Sequence, residues 1–507
     1  MKKLLCAIIA SLMCMLTIHL DISANNSSVI SESIDEFSML NEFAIPDLTE
    51  NELQHLCDIV NGIVEPQSDD TFCLTSATML IDYYYNKRSL QREAIPTYLH
   101  NAYESIQNKS TLTSTYNTTN EYVISLGGKF RVFYNNADPY ENLSSVAYLT
   151  GVIFDAIDAY YCETDSFPRP LGETNYYDIH IIPGATLEAS GTTTPCGDGK
   201  SYISISQGLL EKFYEDENDT FVLGVAAHEY MHAILMAADI PYLGLDYQTL
   251  HESLARAIGI EYDANYANEG GICGDIRSFT SQLSYSLGSM STSNFINGSA
   301  LFYLYIYDEY GGWNTISYMI NNFSSNSSVL YNLNEALYEE NNDTIDLAYE
   351  KFLVYAVNPD RFISLSPTNR FQELNTAVNS WGYPNPTWYI NVTENNETLS
   401  SPTAYSLPYL ACNYIKITSY NNTSKYVTVT VTYTIPNNSE AIPRGAYVFH
   451  NNSLDFYNMQ IDVVSDNQFS CSFGMSISGI DYAYIAIANG GLSGDLMYSY
   501  SVNIASN

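Results

Sequence analysis

The sequence predicts an α+β protein in which a mixed sheet and one buried helix lie over a helical lobe, followed by an all-β sandwich. Period-two runs and helical runs share residues 121–384. The most apolar of the helical runs, Phe221 to Met236, carries a compact polar trio. Beyond residue 402 the chain breaks into short alternating runs separated by Asn/Gly/Ser turns.

Composition sets the bounds. A chain of 507 residues has room for two or three domains. A formal charge of −38 with only 19 Lys+Arg argues against nucleic-acid or anionic-membrane partners, because both need clustered cations. Only 15% of residues are charged and 45 are Tyr, which argues equally against a disordered acidic chain.

Met1-Lys2-Lys3, an apolar stretch from Leu4 to Leu20 and a small residue at Ala24 read as a secretory signal peptide over 1–24, so the mature protein is expected outside the cell. Lipid attachment at Cys14 is the alternative, and the preceding Leu12-Met13 is a poor context for it. No later stretch is long and apolar enough to predict a membrane span. Residues 25–120 read as a pro-segment or an N-terminal helical subdomain, with helices expected at Leu74–Tyr85 and Glu93–Gln107 and a Ser/Thr/Asn linker from Asn108 to Asn120. Export allows disulfides, and by region the pairs suggested are Cys57 with Cys73, Cys162 with Cys196, and Cys412 with Cys471, leaving Cys273 single.

Phe130–Tyr134 reads as a strand. Ser144–Cys162 reads as a helix with Val146, Leu149, Ile153 and Ile157 on one face. Tyr177–Ile182 and Ser201–Ile205 are strands separated by a Gly/Thr/Pro-rich loop through Cys196. The run Phe221 to Met236 follows, with no Pro and with His228, Glu229 and His232 interrupting its apolar faces. Burying two imidazoles and a carboxylate costs several kcal/mol unless each finds a partner. Residues four apart share a helix face, so His228 and His232 can aim two nitrogens at one ion. Glu229 sits about 100° around the helix, within reach of a water on that ion. The bland reading is two core histidines satisfied by backbone.

A third ligand is expected from the next helix, which begins near Thr249. Glu252 lies on the side of that helix that continues through Ala255 and Gly259, small residues that permit close helix approach. Thr249 and Glu252 also fit a capping box, in which Glu252 only binds its own helix amide. His251 is a rival ligand, displaced about 100° from Glu252.

His228-Glu229-Tyr230-Met231-His232 followed by Glu252 resembles the gluzincin zinc metallopeptidases, the thermolysin-like and aminopeptidase-like clan. The run Asn297–Gly312 resembles the helix after the site in secreted bacterial hyicolysin-like peptidases. The resemblance implies a zinc metallopeptidase domain over 121–384, with Zn²⁺ on His228, His232 and Glu252 and with Glu229 as the general base acting on protein or peptide substrates. It also implies that the strand Ser201–Ile205 edges the cleft and pairs with extended substrate. Two positions depart from the clan. Thermolysin-like enzymes carry an aspartate four residues after the glutamate ligand, where this chain has Arg256. Aminopeptidase-like relatives carry a tyrosine where it has Phe295. Tyr242, Tyr285 and Tyr303 are the candidates for the missing hydroxyl.

Helices at Phe295–Tyr310 and Asp343–Ala356 make the expected lower lobe. The Pro/Asn/Thr-rich passage from Trp381 to Ser401 reads as a domain boundary, and 402–507 as a β-sandwich. The rival reading of the whole chain is a surface or adhesion protein with a degenerate peptidase fold, whose sandwich binds a partner or glycan.

Overall fold

A computed structural model describes residues 49–60, parts of 81–104, 121–135, 143–182, 190–241, 245–263, 266, 272–287, 298–357, 386–392 and, with short breaks, 398–506. The signal segment 1–24, most of 25–120, Cys73, Tyr242 and Phe295 lie outside the described residues. Within the described residues the chain is mixed α/β, of the α+β kind, with three sheets.

Helix α1 (Glu50–Val60) buries Leu53, Leu56 and Cys57 against Ile81, Tyr84, Leu99 and Ala102, a cluster separate from the main core. The first sheet contains β1 (Glu121–Ile124), β2 (Phe130–Tyr134), β3 (Tyr177–Ile182), β4 (Gly191–Gly197) and β5 (Lys200–Ser206), in the order β1-β2-β3-β5-β4. The β2/β3 and β3/β5 pairs are parallel, while β1 and β4 add antiparallel edges. Alternate residues Val132, Ile179, Ile181, Ile203 and Ile205 join one core with helix α2 (Leu143–Asp158), as a period of two requires. A single π turn, Ala159–Thr164, extends α2.

The strand order corrects one expectation. Ser201–Ile205 lies in β5, which is paired on both sides, by β3 and by β4. Among the described residues the edge is β4, whose sequence Gly-Thr-Thr-Thr-Pro-Cys-Gly reads as a loop. An edge strand tolerates Pro195, whose missing N–H needs no ladder partner, and the register shifts just beyond it. The tight turn into β5 has positive φ at Gly197, Asp198 and Gly199.

Helix α3 (Gln207–Glu215) leads to α4 (Phe221–Ala237), which is buried almost throughout, and α4 packs on α5 (Leu245–Tyr262). The approach is close because two glycines face each other. A Cβ on Gly259 would lie 2.9 Å from the Gly224 carbonyl oxygen, and one on Gly224 would lie 3.1 Å from that of Gly259. The lobe beneath is built from α6 (Ile272–Ser281), α7 (Ala300–Glu309), α8 (Asn314–Asn321), α9 (Val329–Asn341) and α10 (Ile345–Val357). Ser253 and Ser299 hydroxyls bond across the start of α7, tying it to α5.

The C-terminal region forms two sheets. One has the order β13-β14-β10-β16-β7, with β8 added on β16, and the other has the order β12-β11-β15-β9-β6. Their strands are β6 (Trp388–Val392), β7 (Thr398–Ser400), β8 (Tyr405–Leu407), β9 (Ala411–Ser419), β10 (Lys425–Thr434), β11 (Pro443–His450), β12 (Leu454–Asn458), β13 (Asp462–Ser465), β14 (Gln468–Ser476), β15 (Tyr482–Asn489) and β16 (Leu496–Ser506). Both sheets contribute to one apolar cluster, including Ile415, Ile417, Ile485 and Ile487 from one and Val427, Val429, Val431 and Val502 from the other. The passage read as a boundary, Trp381–Ser401, therefore supplies strands β6 and β7, and this unit starts before residue 402.

The disulfide expectations are also corrected. Cys57, Cys162, Cys196, Cys412 and Cys471 are all free thiols. Cys412 lies in the cluster shared with the helical lobe, whereas Cys471 sits between the two C-terminal sheets against Met459 Sδ at 3.5 Å. They occupy different layers, which proximity in sequence pattern cannot reveal. Burial pushes the Cys162 and Cys196 thiols up to about 12, so neither is a ready thiolate.

Candidate metal centre

Helix α4 presents His228 and His232 on one face and α5 brings Glu252 opposite them. The three side chains are buried, and a ligand atom from each lies within 4.8 Å of the others. His228 Nε2 and His232 Nε2 are 3.1 Å apart with the rings nearly perpendicular, and Glu252 Oε1 lies 3.7 Å from His232 Nε2. Burial drives the His228 pKa well below its usual value, helped by the charges of His232 and Arg256. Burial also lowers that of His232, and the opposing attraction of Glu252 does not reverse it. Both shifts favour the neutral ring, the form that metal ligation needs.

The structure brings His228, His232 and Glu252 together, as the sequence pattern suggests. Glu229, the next residue after His228, is buried, and Thr193 Oγ1 of β4 lies 2.8 Å from both its Oε2 and its backbone oxygen. Gly191, two residues earlier on β4, leaves the room: a Cβ there would meet Glu229 Cγ at 2.9 Å. The edge strand thus reaches the carboxylate directly. Neither Thr193 nor Gly191 was singled out from sequence, because their strand reads as a loop.

His251 does not join the group. It is buried and stacks on His232, with ring centroids 6.0 Å apart, and burial takes its pKa down to about 3. Of the tyrosines considered for the missing hydroxyl, Tyr285 is 49% exposed and Tyr303 is buried in α7 against Phe302.

The residue that does reach the trio is one the sequence reading passed over. Tyr266 OH lies 3.1 Å from His228 Nδ1, and Arg256 Nη1 donates to the same phenol oxygen at 3.1 Å. A faint signal for it existed in Gly224 and Gly259, whose missing side chains form the slot that its ring fills.

Behind α4, Tyr230 donates to Asp158 Oδ1 at 2.7 Å, and Lys129 and Arg169 close on the same carboxylate. Burial alone would raise the Asp158 pKa, but the bonds from Lys129 and Tyr230 outweigh it and hold the group below the usual range. Tyr230 thereby ties α4, which carries both imidazoles, to the C-terminal end of α2.

No family profile and no curated protein matches the chain. Among solved structures, it is matched to a family GH115 4-O-methyl-alpha-glucuronidase, BtGH115A, with specificity for decorated arabinogalactans. The identity is 11%, over 60% of this chain and 46% of that one, with a TM-score of 0.15. The chain therefore spans less than half the length of that enzyme, and at this TM-score the likeness carries no information about fold or site.

Proposed function

We propose that this chain is a secreted zinc metallopeptidase of gluzincin type that hydrolyses peptide bonds of extracellular proteins. The observation that supports it most is the buried convergence of His228, His232 and Glu252, with Glu229 next to His228 in the chain. Two neutral imidazoles and a carboxylate are a donor set suited to Zn²⁺ that leaves a fourth position open. The two Nε2 atoms face each other 3.1 Å apart in a buried site with Glu252 Oε1 3.7 Å from one of them, an arrangement that one shared cation satisfies, so the residues present fit the ion. Zinc, when bound, supplies Lewis acidity for the scissile carbonyl and for a water.

Every other part of the chemistry belongs to the chain's own side chains. Glu229 takes the proton of the attacking water on its carboxylate and returns it to the leaving amine. Thr193 fixes the Oε2 side of that carboxylate, so its orientation does not depend on substrate. Among the described residues strand β4 pairs with β5 alone, and its other side is where an extended peptide would add as a strand. The signal read in residues 1–24 supports an extracellular setting.

Glu229→Gln tests the assignment. The variant should bind zinc as the wild type does and lose turnover of a peptide library by about 10²–10⁴-fold, the range for a general base. Near-native hydrolysis by this variant would remove Glu229 from the chemistry.

A further inference from the structure

The contact between Tyr266 and His228 goes beyond the proposed reaction, and it rests on the metal-centre reading. We propose that Tyr266 is the positioning residue of this centre. Its phenol oxygen fixes His228 in the tautomer that carries hydrogen on Nδ1 and a free lone pair on Nε2, and Arg256 holds that phenol in place. The motif comparison does not suggest this arrangement, because Arg256 stands where thermolysin-like enzymes have an orienting carboxylate.

The chemistry of donors and acceptors supports the assignment. A guanidinium can only donate, so the Arg256 bond at 3.1 Å takes one acceptor site of the Tyr266 oxygen. A histidine that ligates through Nε2 must carry its proton on Nδ1, and the Tyr266 oxygen lies 3.1 Å from that nitrogen. One oxygen can accept from both. Arg256 itself cannot replace the carboxylate, having no lone pair to offer, so the acceptor has moved to a residue brought in from beyond α5. The Ala255 carbonyl also bonds the His228 ring and is a second acceptor.

The ring is built into its place. A Cβ on Gly224 of α4 would lie 2.3 Å from Tyr266 Cβ, and one on Gly259 of α5 would lie 2.5 Å from Tyr266 Cε1. The two glycines therefore open a slot between the ligand helices that fits this ring. Phe221 stacks on it with centroids 5.6 Å apart, and the Arg256 guanidinium lies 5.8 Å from its centre. A side chain clamped on several sides loses little further freedom when its hydroxyl is used, which suits an orienting role.

Tyr266→Phe removes the hydroxyl and keeps the ring. Zinc affinity of wild type and variant, measured by competition with a chromophoric chelator, should fall by about 10–100-fold, the usual cost of removing a partner behind a metal-ligating histidine. Cobalt(II) loaded in place of zinc should show shifted visible absorption bands, while the melting temperature of the metal-free variant stays near that of the wild type. Wild-type affinity and an unchanged cobalt spectrum in Tyr266→Phe would overturn the proposal and leave the Ala255 carbonyl as the sufficient partner. If Tyr266→Phe does not fold, Arg256→Leu takes its place: weaker zinc binding supports the proposal and unchanged binding overturns it. A wild type that binds neither metal would instead defeat the metal-centre reading itself, so the two failures are distinct.

Discussion

At the scale of single residues, burial decides protonation and protonation decides chemistry. His228 and His232 are useful because their surroundings refuse a positive charge, and the same physics acts on a histidine far from the centre. His180 on β3 is buried, stacks on Phe133 at 4.8 Å and meets Tyr202 edge-on at 5.1 Å. Burial, with the charge of Arg131 adding to it, lowers its pKa to about 3. The folded value lies below the ordinary one, so between about pH 6.5 and 3 the unfolded chain binds a proton that the folded chain does not. Stability must therefore fall as pH drops through that window, by about 1.4 kcal/mol per pH unit from this group at most. Urea unfolding between pH 4 and 7 should show a shallower pH dependence in His180→Phe, and an unchanged slope would mean that His180 is protonated in the folded state. The zinc-ligand candidates were legible in the sequence because a four-residue spacing in an apolar helix has one geometric meaning. Tyr266 was not legible, because its contact with His228 is made after a turn and across two glycines, and no spacing rule spans that path.

At the scale of elements, the helices were easier to read than the strands. Phe221–Met236 and Asp343–Ala356 match α4 and α10 closely because long runs of apolar residues at helical period leave few alternatives. Strand β4 was misread for a physical reason: its position on the sheet edge relaxes the demand for β-branched, Pro-free sequence, so it carries the composition of a loop. Its placement matters, because Gly191 and Thr193 are the strand's contacts with Glu229. In Gly191→Val the new side chain meets Glu229 Cγ within 2.9 Å and Val225 Cγ1 within 3.0 Å, so the carboxylate must move. The expected result is a fall of at least tenfold in peptide turnover, with zinc content unchanged and about 1–3 kcal/mol of stability lost to overpacking. Turnover equal to wild type would show that β4 does not set the position of the base.

At the scale of the whole molecule, the C-terminal sheets are part of the same packed body as the lobe beneath His228, His232 and Glu252. The sheet containing β9, β11 and β15 is buried on both faces. Ile415, Ile485 and Ile487 face the other sheet, and Tyr414, Ala446, Val448, Tyr484 and Ala486 join the core with α10. That explains why β15 reads as a nearly continuous apolar run where a one-sided strand would alternate. Polar contacts reinforce the packing, with Tyr414 OH donating to the Leu353 carbonyl at 2.9 Å and Arg444 pairing with Asp346. The sequence showed the strands but not this docking, because a turn-rich passage looks the same before a tethered module and before a packed one. Ending the chain at residue 385 would expose the apolar face of α10. The shortened protein should bind a hydrophobic dye and melt well below the full chain, whereas a soluble fragment with the full chain's melting temperature would mark the sheets as an independent appendage.

The most direct test of the central claim is the zinc content of purified protein by atomic emission, wild type beside Glu252→Ala. The proposed function predicts about one zinc per wild-type chain and a large loss in the variant. A folded wild type that holds no zinc even after reconstitution would contradict the account and leave the buried trio without a cation to explain it.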